Sequence, residues 1–93
     1  MKYFYDHTFF IETWFYYPYS HTKCEPVGGL PAKEMKAKNL EDAKAECTSQ
    51  PNKKCRRFYD YLGQGKRFFA CGGASSMLPA ILGGHILYDK SKK

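Results

Sequence analysis

The chain has 93 residues, 43% hydrophobic and 17% aromatic, with fifteen Lys and Arg against nine Asp and Glu for a net charge of +6. That length allows one compact domain burying only about 60–65% of its unfolded surface, which excludes a two-domain cofactor enzyme and a polytopic membrane protein. The apolar and aromatic content excludes a wholly disordered chain, and the four cysteines permit two disulfides in three connectivities.

Ten of the sixteen aromatics fall within residues 1–22. The aromatic and β-branched bias there predicts extended structure. Along Phe9 to Tyr17 both sides of a strand would be aromatic, whereas a half-buried strand shows a polar face. The segment is therefore expected to be covered on both faces or to offer aromatics to a partner, and Pro18 is expected to end it. The competing expectation is an extra edge strand that thickens the core.

Residues 23–38 hold Pro26, Gly28, Gly29 and Pro31 and read as loop. Residues 39–49 read as a helix. Asn39 is a good N-cap, Asp42 sits three residues on, and Leu40, Ala43 and Cys47 share one face. Pro51 and Asn52 end it. Residues 55–62 read as an aromatic strand, Gly63-Gln64-Gly65 as a tight turn, and Arg67 to Cys71 as the returning strand of a hairpin. Gly72 to Gly84 reads as loop, His85 to Tyr88 as a last short strand, and Asp89 to Lys93 as a solvated basic tail.

Small cysteine-paired domains belong to oxidising compartments. A zinc site on four cysteines needs short C-x2-4-C knuckles, and Cys24, Cys47, Cys55 and Cys71 show none. Asp6, His7 and Glu12 interrupt any leader-like apolar stretch, so secretion would rest on a leader outside this chain. No apolar run approaches the ~20 residues that span a bilayer.

The order of helix with cysteine, short gap, cysteine, aromatic strand and hairpin resembles the PAN/apple-like domain family. The residues that carry the resemblance are Leu40 to Cys47 (LEDAKAEC), Cys55-Arg56-Arg57-Phe58-Tyr59, Phe68-Phe69-Ala70-Cys71 and the closing Ile86-Leu87-Tyr88. It spans about residues 22–90. The resemblance implies an α+β fold, in which a curved antiparallel sheet cradles one short helix, with residues 1–21 as an aromatic extension and 22–93 as the domain. It implies a Cys47–Cys55 bridge. Ala43 stands where the family places another helix cysteine, a departure that leaves Cys71 to pair with Cys24. The function implied is binding of protein or carbohydrate, without catalysis.

The residues themselves show no assembled nucleophile–base pair. Ser20-His21 and Asp6-His7 are neighbours that would point to opposite faces of a strand. His7, His21 and His85 lack metal-ligand spacing, and Gly63-Gln64-Gly65-Lys66 lacks the phosphate-loop pattern. A non-enzymatic chain without metal or cofactor is expected. Two partner surfaces stand out. Phe9, Phe10, Trp14, Phe15, Tyr16 and Tyr17 suit docking on a protein partner or a second copy. Lys53, Lys54, Arg56, Arg57, Lys66 and Arg67 suit an acidic or sulfated glycan. Nucleic acid is not expected in an oxidising compartment. The resulting expectation is an extracellular structural or adhesive subunit, with glycan binding or a cysteine-stabilised toxin or inhibitor as alternatives.

Overall fold

The computed structural model describes residues 14–25, 32–73 and 75–92. They form a small α+β unit with antiparallel strands, one short helix and two disulfides. The strands are β1 (Trp14–Ser20), β2 (Thr22–Glu25), β3 (Lys33–Glu34), β4 (Arg57–Asp60), β5 (Phe68–Cys71), β6 (Ser76–Pro79) and β7 (Ile86–Lys92), and the helix is α1 (Leu40–Thr48). The main sheet runs β1-β7-β4-β5-β3, and β2 pairs with β6 in a separate two-stranded ribbon.

The helix begins where its cap dictates. Asn39 is extended, and its side-chain oxygen accepts the backbone N–H of Asp42 at 2.9 Å. Ala43 and Cys47 turn inward at helical spacing and meet Met35, Ala37, Cys55, Phe58 and Phe68 in the main core. Phe58 is its centre. Its ring lies 5.3 Å from Tyr16 and from Tyr88, and 6.0 Å from Phe68. Alternation along each strand sends the next residues to the opposite face. There Leu87 and Cys71 pack with Cys24 of the ribbon, and Tyr59 and Ala32 lie against them. The sheet is thus covered by the helix on one face and partly by the ribbon on the other.

Each cover is cross-linked to what it sits on. Cys47 of α1 bonds to Cys55 just before β4, and Cys24 of β2 bonds to Cys71 of β5. Gly72 follows immediately, where the chain passes so close to Lys53 that a Cβ would overlap its carbonyl oxygen.

Four expectations are corrected. Pro18 lies inside β1 opposite Tyr88 rather than ending it. Among the described residues β1 is an edge strand, where proline's missing N–H is tolerated. The stretch 23–38 contains β2 and β3, and the stretch 72–84 contains β6. These strands are two to four residues long and become strands only by pairing with distant partners, Thr22 with Pro79 and Lys33 with Ala70. The expected solvated tail belongs to β7 through Lys92, with Asp89 paired and Lys90 buried. Phe9 and Phe10 lie outside the described residues.

Candidate interaction surface

Strand β1 divides the expected aromatic set by face. Tyr16 points to the helix. Its hydroxyl and that of Thr48 lie 2.8 Å apart in a hydrogen bond, and it also donates to the Lys44 carbonyl at 3.3 Å. Burial pushes its phenol pKa up. Trp14 is half-buried, with the Lys90 ammonium 5.0 Å from its ring centroid. The alternate residues form an outer row: Phe15 is 39% exposed, Tyr17 56% and Tyr19 36%. The Tyr17 and Tyr19 rings lie 5.3 Å apart. Tyr19 was not among the expected docking residues, although its i+2 spacing from Tyr17 marks it as part of the row.

The expected basic set divides along the β4–β5 hairpin. Lys53, Lys54 and Arg56 are exposed at its open end. Arg57 sits beside them but is occupied: its Nε donates to Asp89 at 2.9 Å, and its Nη1 donates to the Ser75 carbonyl at 2.6 Å. Lys66 and Arg67 lie at the turn end, about 10 Å away along the strands. Arg67 forms a fork on Glu34 with bonds of 3.0 and 3.2 Å, and its guanidinium also stands over the Tyr61 and Phe69 rings. Hydrogen bonding from Arg67 holds the Glu34 carboxyl below its ordinary range.

Lys54 instead joins cations absent from the expected set. A groove of about 440 Å³ between α1 and β3 is lined by Lys33, Lys36 and Lys54 together with Glu34 and Glu46. The Glu46 carboxylate is committed, accepting the backbone N–H groups of Lys36 and Ala37 at 3.1 and 2.9 Å. The groove therefore presents three lysines against two carboxylates, Glu46 satisfied by the backbone and Glu34 paired with Arg67. Nothing local in the sequence joins residues 33 and 36 to residue 54. The β3–β5 pairing and the loop tied down by Glu46 bring them together.

The other titratable groups serve structure. Asp60 is buried, and both its oxygens accept the Gly65 N–H, at 2.9 and 3.1 Å, which holds the turn. Burial raises its pKa. His85 accepts the Leu62 N–H on Nδ1 at 2.9 Å, and burial lowers its pKa. Among the described residues no group of three or more His, Cys, Asp or Glu could hold a metal ion, and no helix is long and apolar enough to cross a membrane. Comparison with known protein families, with characterised proteins and with solved structures found no match.

Proposed function

We propose that this chain is a non-enzymatic extracellular interaction module of PAN/apple-like architecture, a structural or adhesive subunit that assembles through its aromatic N-terminal arm. The observation that carries the reading is the division of labour in β1. Trp14 and Tyr16 are spent on holding the strand, while Phe15, Tyr17 and Tyr19 stand outside on a strand that is an edge among the described residues. Aromatics exposed in a row on a rigid strand offer large contact area at little entropic cost, and an edge strand offers its ladder to another strand. Buried disulfides in a domain this small support an oxidising compartment.

The test leaves the fold intact. Phe15→Ser, Tyr17→Ser and Tyr19→Ser together remove the outer row without touching Tyr16 or Trp14. Sedimentation of the native chain should show concentration-dependent self-association, and the triple variant should sediment as a monomer. A native chain that is monomeric at every concentration, or a variant that associates equally well, overturns the reading.

Acidic or sulfated glycan binding is the second reading. It is favoured by the convergence of Lys33, Lys36 and Lys54 on one groove, with Lys53 and Arg56 exposed nearby in sequence. Sulfate esters and carboxylates are held by such multiple, salt-sensitive contacts.

A further inference from the structure

The connection between β6 and β7 carries the most exposed large apolar side chains described in the molecule. Ile81 is 81% exposed and Leu82 is 87% exposed. A frayed loop would explain this, but both ends of the connection are clamped. The Ala80 N–H donates to the His21 carbonyl at 2.7 Å, and the His85 carbonyl accepts the Thr22 N–H at 3.1 Å. The His85 ring takes a third bond from the Leu62 N–H. Between the clamps Gly83 and Gly84 adopt left-handed φ values of 95° and 68°, which glycine alone reaches without strain. A Cβ on Gly83 would come within 3.1 Å of Leu62 Cδ2. Leu62, 38% exposed, thus stands beside the knuckle and widens it.

The charge around this knuckle is mixed, with Lys23 and Lys66 standing outside the Arg67–Glu34 ion pair. Lys23 lies two residues beyond His21, the residue that clamps Ala80. Lys66 leaves the adjoining turn exposed. Arg67 stands 5.1 Å from the centroid of Tyr61, whose ring lies 5.2 Å from His85. The nearby carboxylates are already engaged, Asp60 buried on Gly65 and Glu34 on Arg67. The whole chain carries +6.

The apolar area decides the occupant. A stable protein interface buries about 800 Å² on each partner, and the three aliphatic side chains Leu62, Ile81 and Leu82 fall far below that. A bilayer needs no complementary pocket. Apolar side chains entering the acyl boundary and cations meeting anionic headgroups add to one another there. We infer that Ile81 and Leu82 form a wedge that inserts into the surface of an anionic phospholipid bilayer, with Lys23 and Lys66 resting against the headgroups. The site lies on a different element from the β1 aromatic row and does not depend on it.

Co-sedimentation of the full chain with vesicles tests the inference. Vesicles of phosphatidylcholine mixed with phosphatidylserine should bind the protein, with affinity falling as salt rises, and pure phosphatidylcholine vesicles should bind it weakly. Ile81→Ser with Leu82→Ser should weaken binding to the mixed vesicles at least about tenfold, since both side chains leave water on insertion. The conservative pair Ile81→Leu with Leu82→Ile should retain it. Lys23→Gln with Lys66→Gln should remove most of the preference for the anionic lipid. A native chain that leaves both vesicle types free overturns the inference. So does a serine pair that binds undiminished, because net charge alone would then account for binding. A serine pair that instead converts a native oligomer to monomer shows a protein contact at the tip and also overturns it.

Discussion

Lys90 shows how a single residue can be misjudged from sequence. It lies in a run of basic residues near the end of the chain, yet it is only 4% exposed. Its ammonium donates to the Cys55 carbonyl at 2.9 Å, to Asn52 Oδ1 at 3.1 Å and to the Gln50 carbonyl at 3.2 Å. Among the described residues it makes no ion pair. Three oxygens and the Trp14 ring replace its water, and they tie the end of α1 and the approach to β4 onto β7. Lys90→Met keeps the stem but leaves the oxygens without their donor, and chemical denaturation should report a loss of about 1–3 kcal/mol. The pH dependence has a definite sign. Burial lowers the ammonium's pKa from its ordinary 10.5, so between the folded value and 10.5 the unfolded chain binds more protons and Lys90's contribution to stability rises with pH. Tyr16, Tyr59 and Tyr88, raised by burial, act oppositely at higher pH. The difference between native and variant cancels the tyrosines and should therefore widen in favour of the native chain across that window. A gap that stays constant or shrinks there would refute the assignment.

At the scale of elements, legibility follows how local the determinants are. Helix α1 could be read because its cap, its acidic first turn and its inward pair Ala43 and Cys47 lie within ten residues of sequence. The β4–β5 hairpin could be read because two aromatic runs flank a glycine turn. Strands β2, β3 and β6 could not. The first and last of these owe their pairing to each other across more than fifty residues, and β3 is only two residues long. The aromatic surface was half legible: sequence marked the segment, but only the position of β1 over Thr48 and Phe58 decides which side chains are spent inward. The basic surface was legible in composition and not in place. The groove predicts that position outweighs charge in glycan binding. Lys36→Gln with Lys54→Gln and Lys23→Gln with Lys66→Gln remove equal charge, the first pair from the groove lining and the second from outside it. On a sulfated-glycan column the first pair should elute at distinctly lower salt than the second. Equal elution would mean that the column reads net charge and that the groove binds nothing.

The described residues stack in three thin layers, with α1 on one face of the sheet and the β2–β6 ribbon on the other. Neither outer layer could stand alone. A nine-residue helix is marginal in water, and an isolated two-stranded ribbon is equally so. Each disulfide ties one outer layer down, Cys47–Cys55 for the helix and Cys24–Cys71 for the ribbon, across sequence separations of 8 and 47. Loop-closure entropy makes these worth about 2.5 and about 4 kcal/mol respectively, comparable to the whole net stability of a small domain. Replacing Cys24 and Cys71 by alanine should therefore cost more stability than replacing Cys47 and Cys55. Hydrogen exchange should show the loss first in the β2 and β6 amides, while the Phe58 core stays protected. Access to reductant follows the same layering. All four cysteines are buried, so a thiol reductant reaches a bridge only after a layer lifts. The ribbon, paired by one four-residue ladder and packed on the smaller Cys71–Leu87 cluster, opens at lower cost than the helix, which shares the main core. Timed alkylation in reductant without denaturant should label Cys24 and Cys71 before Cys47 and Cys55. Simultaneous labelling of all four would show that the layers open as one cooperative unit.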